Sequence, residues 1–326
     1  MEDLTSVLRV HPEPFEYVDE RAVHVALTSD PADYVSFFER GLLAIAVGDT
    51  RVELPAKKIF SDGAGQGDFR VMPCVSRNGK TVTKTVKVVG TNTVGRAVPD
   101  QITVGRALCL HPAENYVTHV FEACLLSSAR TGACAAVAMA HLAPARRHVT
   151  IVGAGRVGFY SGLYAAARGG VEEIVLCDRD RDRATSAARL LAEHLGAGTA
   201  CVAADALPRE TDVVILATIS RNPVLGPADV GARLVVSLGA DIEHQHELAP
   251  EWPRVADVYV DTFDSLRVGD MRAWLRSGAV AREDVRDLID VLRAGPLGNG
   301  ERPRVFISTG SALFDNVTIE YLTRTR

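Results

Sequence analysis

Gly153, Gly155 and Gly158 stand at GxGxxG spacing in Gly153-Ala154-Gly155-Arg156-Val157-Gly158, directly after the β-branched run Val149-Thr150-Ile151-Val152 and ahead of a helix-forming stretch. This arrangement suits the pyrophosphate of a dinucleotide. The first glycine permits the tight turn, the second lets the backbone approach the phosphates and the third lets helix and strand pack closely, while the helix N-terminus supplies N–H groups and a positive dipole end. Asp178 closes the next strand-like run about 20 residues beyond the last glycine. A carboxylate there accepts hydrogen bonds from ribose hydroxyls and repels the extra phosphate of NADP, so NAD is the expected cofactor. Arg179 beside it is the counter-signal, because an arginine at that place can hold a 2′-phosphate. Thr218 follows Ile215-Leu216-Ala217, at a carboxyl strand end facing the same crevice.

Hydride chemistry beside a carboxylate also needs a cation to hold that carboxylate, a proton donor or acceptor, and a dry pocket. Arginine suits the first task, since its planar fork bonds a carboxylate at two points. Arg130 lies in Leu126-Ser127-Ser128-Ala129-Arg130-Thr131-Gly132-Ala133, at the start of an otherwise apolar helix where a charge is costly without a partner. The competing reading is an arginine that snorkels to solvent. Strand alternation puts Lys87 on the face of Thr85 and Val89, with Lys84 on the other face. Asp241 follows Leu234-Val235-Val236 and Gly239-Ala240, again at a carboxyl strand end. Any one of these could equally be a solvated loop charge. No metal site is expected: the six cysteines have no CxxC or His/Cys ligand spacing and mostly lie in apolar runs, as reduced, buried small hydrophobes do.

The elements that must position these residues fall into two groups. Asp30-Pro31 starts an amphipathic helix over residues 30–47. Between Lys57 and Glu122, short β-branched runs (69–75, 81–89, 107–111 and 117–123) alternate with turn sequences such as Arg77-Asn78-Gly79-Lys80, which predicts an antiparallel meander. An alanine-rich helix follows over 125–142 and stops before Pro144. From His148 the chain alternates strands (148–152, 173–178, 212–217, 233–238, 257–261, 304–308) with helices that include 156–168 and 179–194, the pattern of a parallel sheet with crossovers. Residues 311–326 read as a helix that returns to the first unit. The fold class is α/β: a Rossmann-type NAD domain with a parallel sheet over 128–308, plus an N-terminal α+β substrate-binding and dimerisation domain with an antiparallel sheet from 1–127 and 309–326.

A chain of 326 residues, 47% hydrophobic and 24% charged, can bury the cores of both units, which argues against a disordered or fibrous protein. A net charge of −5 leaves no electrostatic footprint for nucleic acid or an anionic membrane. Met1-Glu2-Asp3-Leu4-Thr5 lacks the basic and apolar regions of a signal peptide, and no stretch is read as approaching a membrane span, so a cytoplasmic location is expected.

The sequence resembles the ornithine cyclodeaminase/μ-crystallin family. The likeness runs from Met72-Pro73 through Lys87, Arg130-Thr131-Gly132-Ala133 and the glycine turn to Gly239-Ala240-Asp241 with Glu247-Leu248, and on to Ser308-Thr309-Gly310-Ser311-Ala312-Leu313-Phe314-Asp315. The order and spacing of these segments carry it, rather than any one of them. The resemblance implies a homodimer whose N-terminal sheets join into a barrel-like interface, with an amino-acid-type substrate between that sheet and the NAD unit. It implies Arg130 on the substrate α-carboxylate, Lys87 on the carboxylate and the reacting C–N group, and Asp241 as general acid/base. Met72 falls beside the substrate, and Thr131, Arg156 and Val157 beside the cofactor. A further carboxylate-binding cation is expected at Lys58, within Lys57-Lys58.

Three departures from the cyclodeaminase pattern stand out: Val157 in place of glutamine, Arg70 in place of an acid, and His244-Gln245-His246-Glu247-Leu248 in place of Gly-Lys-Thr-Glu-Leu. Arg70 near a substrate ammonium would be unfavourable but could pair with a second carboxylate; the alternative is an outward strand residue. The glycine turn and Leu125-Leu126-Ser127-Ser128-Ala129-Arg130-Thr131 look more like the branch that oxidises an N-linked aminocarboxyethyl glutamate to 2,3-diaminopropionate and 2-oxoglutarate. The expected function is thus an NAD-dependent oxidoreductase at the C–N bond of an amino, imino or opine-like acid, in a biosynthetic pathway. The alternatives are ornithine/lysine cyclodeamination with recycled NAD and a non-catalytic nucleotide- or ligand-binding protein.

Overall fold

The computed structural model describes residues 7–8, 11–61, 67–92, 103–298 and 300–325; the Met1–Thr5 stretch considered above for a leader lies outside them. The described chain enters through β1 (Glu16–Val18) and two helices, α1 (Glu20–Thr28) and α2 (Pro31–Ala46). Asp30 caps α2 by accepting a hydrogen bond from Asp33 N–H at 2.9 Å, with Pro31 in the first turn, as its sequence signature predicts. There follow β2 (Thr50–Glu53), β3 (Lys58–Ser61), β4 (Gly67–Asn78), β5 (Thr81–Asn92), β6 (Thr103–Leu110) and β7 (Val117–Glu122). They form one sheet in the order β1-β7-β6-β5-β4-β2, with β3 on β4; β1 runs parallel to β7 and every other pairing is antiparallel. The meander is therefore present, with longer central strands and one parallel edge. In β4 and β5, Met72 pairs with Lys87, and alternation turns Arg70, Met72, Thr85, Lys87 and Val89 inward while Phe69, Val71 and Val88 face out.

Next comes α3 (Ala123–Leu142), buried almost all round and packed against the first sheet, α4 and α9. It is long and apolar enough to cross a membrane, which corrects the expectation that no stretch approaches such a span. Its alanines, leucines and cysteines give it that average, yet 83% of the window is buried inside the protein, where small side chains let neighbouring elements approach closely.

The second unit contains β8 (His148–Val152), α4 (Arg156–Ala167), β9 (Glu173–Cys177), α5 (Arg181–Leu195), β10 (Ala200–Ala204), β11 (Val213–Leu216), β12 (Leu234–Ser237), α6 (Trp252–Val255), β13 (Asp257–Val260), α7 (Gly269–Ser277), β14 (Arg286–Asp287), α8 (Leu288–Ala294) and β15 (Arg304–Ile307). All pairings are parallel, in the order β10-β9-β8-β11-β12-β15-β13-β14. The α/β class with one parallel and one largely antiparallel sheet is as expected. β11, β12 and β15 are apolar throughout their centres, and the one polar centre, Thr150 of β8, is buried and donates to Thr211 Oγ1 at 3.1 Å, as strands covered on both faces require. After β15 the chain returns as α9 (Ala312–Arg324) to pack on β4, β5, α2 and α3. There Tyr34 and Thr318 hydroxyls hydrogen-bond at 2.8 Å and Ser76 donates to Asn316 at 2.7 Å. One apolar core runs from the inner face of the first sheet through α3 to one face of the second; a smaller one around Trp252 and Trp274 covers the opposite face.

Candidate active site

β8 and β11 are neighbours from which the sheet is built outward in both directions, so a crevice opens at their carboxyl ends. Gly153 there has φ of +105°, and a Cβ on it would run into the Ala217 carbonyl. A Cβ on Gly158 would strike Gly153 O, so the helix could not sit this close to the strand with any larger residue. Gly155 differs, for a Cβ built on it meets nothing within 4 Å: its side faces open cleft. It also caps α4 without a side-chain hydrogen bond, so no side chain competes for the first-turn N–H groups. Asp178 accepts from Ala154 N–H at 2.8 Å and from Asp180 N–H at 3.0 Å, which fixes its carboxylate at the crevice edge next to Arg179 and Arg183. This geometry fits a dinucleotide: open space at the second glycine, a helix N-terminus beside it and a fixed acceptor one strand away.

Across the cleft, charges replace backbone geometry. Lys87, 2% exposed, reaches Asp315 on α9 with Nζ 2.9 Å from Oδ1 and 2.8 Å from Oδ2, and donates to Ser127 Oγ at 3.2 Å. Burial pushes its ammonium down to about 8, against the opposing pull of Asp315. Arg130, also buried, has Nε 3.1 Å from the same Asp315, but its Nε and Nη1 have no aligned hydrogen-bond acceptor among the described residues. Arg130 also lines the cleft, and a guanidinium there has the planar donor set that suits an anion. Arg70, 5% exposed, binds Asp68 through Nε (2.9 Å) and Nη2 (3.1 Å), and Asp241 through Nη1 (2.8 Å). It is thus an inward cleft residue, not the outward one the sequence also allowed.

A third set of groups lies under the cleft floor. Glu247, fully buried, accepts from Thr218 N–H (2.7 Å) and Oγ1 (2.8 Å), Ser237 Oγ (2.7 Å), Leu238 N–H (3.1 Å) and Gly239 N–H (2.8 Å). It ties the ends of β11 and β12 together, and burial raises its carboxyl despite these donors. Asp270 accepts from Glu247 and Leu248 N–H, at 3.0 and 3.2 Å, fixing that segment from below. Asp261 holds the turn into α9 through Ser308 Oγ (2.7 Å) and Gly310 N–H (2.9 Å).

The structure gathers the sequence candidates into one cleft of about 810 Å³. Arg70, Met72, Lys87, Arg130 and Asp241 line one end. Thr131, Gly153, Gly155, Arg156, Val157, Asp178, Arg179 and Thr218 line the other, while Gly158 sits behind the turn. Lys58 is the exception and is corrected. It is exposed on β3, and its neighbour Lys57 lines the cleft, donating to the Thr309 carbonyl at 3.2 Å; alternation at the start of an edge strand sends adjacent residues to opposite sides. Asp315, Asp261, Asp270 and Asp68 were not singled out from the sequence as site residues. The available signal was an acid at the end of an apolar run, as in Val258-Tyr259-Val260-Asp261, or within an apolar helix, as in Phe314-Asp315. Among the described residues no group of three or more His, Cys, Asp or Glu side chains is placed to hold a metal ion.

A profile of the ornithine cyclodeaminase/mu-crystallin family matches residues 18–323. The iminosuccinate reductase of Paracoccus denitrificans is 28% identical over 195 residues, spanning 59% of this chain and 61%, less than two thirds, of that protein. The NAD(P)H-dependent anabolic L-arginine dehydrogenase of Pseudomonas aeruginosa is 28% identical over 283 residues, covering 83% of this chain and 86% of its own. Among solved structures, the Thermococcus litoralis Delta(1)-pyrroline-2-carboxylate reductase in complex with NADH and L-proline superposes with a TM-score of 0.84 at 20% identity, over 95% of this chain and 97% of that one.

Proposed function

The chain belongs to the ornithine cyclodeaminase/mu-crystallin family, and within that family we propose that it is an NAD-dependent oxidoreductase acting at the carbon–nitrogen bond of an amino or imino acid. One observation carries this: two buried cations sharing one buried carboxylate, Lys87 and Arg130 on Asp315, face the same cleft as the glycine turn and Asp241. The relatives reported above carry names of the same reaction class. Gly153, Gly155 and the first turn of α4 would hold the pyrophosphate and Asp178 the adenosine ribose, the acid favouring NAD over NADP. A bound nicotinamide nucleotide supplies a two-electron hydride acceptor or donor.

Arg130 receives the α-carboxylate on the part of its guanidinium that lines the cleft, and Lys87, which lines it too, adds a second contact. In oxidation the substrate Cα–H bond breaks with its electron pair, the amine gives up a proton, and a C=N bond forms; reduction is the reverse. Asp241 is the proton donor or acceptor, since its side chain, 39% exposed, is the freest carboxylate at that end of the cleft. Met72, on the inward face between Arg70 and Cys74, forms an apolar wall. Thr218 and the Gly239–Asp241 segment are set by Glu247. Arg70 and Lys57 disfavour the side-chain ammonium that a diamino-acid cyclisation requires, which separates this reading from a cyclodeaminase.

The protein as proposed is a cytoplasmic homodimer. The outward face of the first sheet carries Phe60 stacked on Phe69 at 4.7 Å, both about half exposed, with Val88 41% exposed nearby, and a second copy would cover that stripe. Six free cysteines, five of them buried, suit a reducing compartment. Incubation with a nicotinamide nucleotide and a panel of amino and imino acids tests the chemistry. Net change in NADH absorbance is expected. Ammonia release without it means a cyclodeaminase, and tight nucleotide binding with no turnover of any kind means a binding protein.

A further inference from the structure

The turn that leads from β15 into α9 lies against Arg130. A Cβ on Gly310 would come within 2.5 Å of Arg130 Nη1, 2.7 Å of Nη2 and 3.0 Å of Cζ. Nearer to both terminal nitrogens than to the carbon that joins them, it would enter the fork of the guanidinium. Bare backbone here is what lets the guanidinium lie where it does, and φ of +81° makes glycine the residue that supplies it. The preceding carbonyl, that of Thr309, accepts from Lys57 Nζ at 3.2 Å, and Lys57 lines the same cleft. One short turn thus touches two cations that come from different elements. It is itself fixed by a buried carboxylate. Asp261, directly after β13 and 1% exposed, accepts twice on each oxygen: Oδ1 from Thr262 N–H and Ser265 Oγ, both at 2.5 Å, and Oδ2 from Ser308 Oγ at 2.7 Å and Gly310 N–H at 2.9 Å. Ser265, its proton given to Asp261, accepts from Thr309 N–H at 3.2 Å and from the Thr309 hydroxyl at 2.7 Å. None of these bonds is needed to start α9, whose cap is Ser311, accepting from Leu313 N–H at 3.3 Å.

Resting on the amino- or imino-acid reading of this cleft, we propose that the Ser308–Gly310 turn is the stop that sets the Arg130 guanidinium for the substrate α-carboxylate. Gly310 fixes its depth and tilt, and Asp261, with Ser265 and Ser308, holds Gly310 in place. Gly310, Asp261 and Ser265 are then positioning residues, which act through Arg130 rather than on the reacting atoms. The α-carboxylate is bound alike before and at hydride transfer, so a misplaced guanidinium raises KM and leaves kcat nearly unchanged. A turn that served the fold alone would change stability and leave KM where it was.

The test sets Gly310→Ala against Gly48→Ala, at a glycine of similar φ, +87°, where a Cβ would meet nothing within 4 Å. Both changes strain the backbone, but only the first pushes on Arg130. The probe is the fastest member of the amino- and imino-acid panel, which runs from alanine and glutamate with NAD to pyruvate and 2-oxoglutarate with ammonium and NADH. NADH absorbance gives kcat and KM, and NADH fluorescence titration shows that each variant folds and binds nucleotide. Gly310→Ala should raise KM at least about tenfold with kcat within about threefold, whereas Gly48→Ala should leave both within about twofold. Ser265→Ala loosens the turn without adding a side chain, and should raise KM about fourfold. In an Arg130→Lys background, where the fork is gone, Gly310→Ala should move KM less than about twofold. Equal KM in Gly310→Ala and Gly48→Ala, or a full shift that survives in Arg130→Lys, overturns the inference and leaves the oxidoreductase reading standing. Should Gly310→Ala fail to bind NADH, an unchanged KM in Ser265→Ala overturns it in the same way. No hydride transfer with any member of the panel overturns both.

Discussion

The two ends of the cleft are built by different means. The cofactor end is made of backbone: a turn whose glycines are dictated by close approach, a helix terminus, and one acid fixed by two N–H groups. The substrate end is made of buried side-chain charge, in which Lys87, Arg130 and Arg70 are each matched by a carboxylate from another element. A backbone site tolerates change wherever the backbone itself is not crowded. A charge site is a coupled network, in which removing one member strands the others.

The sharpest break in this comparison is Asp241→Asn. It should lower kcat by about a thousandfold while leaving the NAD dissociation constant within about twofold; retained activity would remove Asp241 from the chemistry. Asp315→Asn should come next. With Lys87 and Arg130 deprived of their shared anion, unfolding free energy is expected to fall by about 3–5 kcal/mol, read by denaturant titration, with the nucleotide still bound by what remains folded. At the other end Gly155→Val should weaken NAD on the order of thirtyfold by filling the space for the pyrophosphate, with little change in stability because that space is open.

The pH dependence separates the ends again. Lys87 binds a carboxylate only when protonated, and burial has brought its ammonium to about 8. As pH rises through 8, kcat/KM should therefore fall by about tenfold per unit while NAD affinity stays flat. The same shift costs stability at neutral pH, and that cost is relieved as pH rises between about 8 and the ordinary lysine value of 10.5, where the unfolded chain binds more protons than the folded one. The smallest effect is the most local. Lys57→Ala should raise KM for the substrate about tenfold, the loss of one charge-assisted contact, and Lys58→Ala should change it less than about twofold.

The same contrast governs how much could be read from the sequence. The cofactor end was legible because its parts lie within a single strand–turn–helix–strand unit, where Gly153, Gly155, Gly158 and Asp178 occur at fixed spacing. The alternation of apolar strands and helices after His148 likewise gave the parallel sheet. At the substrate end, Lys87, Arg130 and Asp241 could be named but not their partners. Asp315 belongs to a helix whose own sequence gives no hint that it faces Lys87. Strand phase decided the rest: alternation placed Lys87 correctly, but one residue of ambiguity at the edge strand β3 exchanged Lys57 for Lys58. β1, three residues long and paired in parallel, offered too little pattern to recognise.

The Lys87–Asp315 contact joins residues 228 apart in the chain, and it is α9 that closes the distance. During synthesis the nucleotide-binding turn and its sheet can form as soon as β15 has emerged, whereas both substrate cations stay without their anion until α9 follows and docks. A nascent chain halted just short of α9 would thus grip its nucleotide yet have no place for an amino acid.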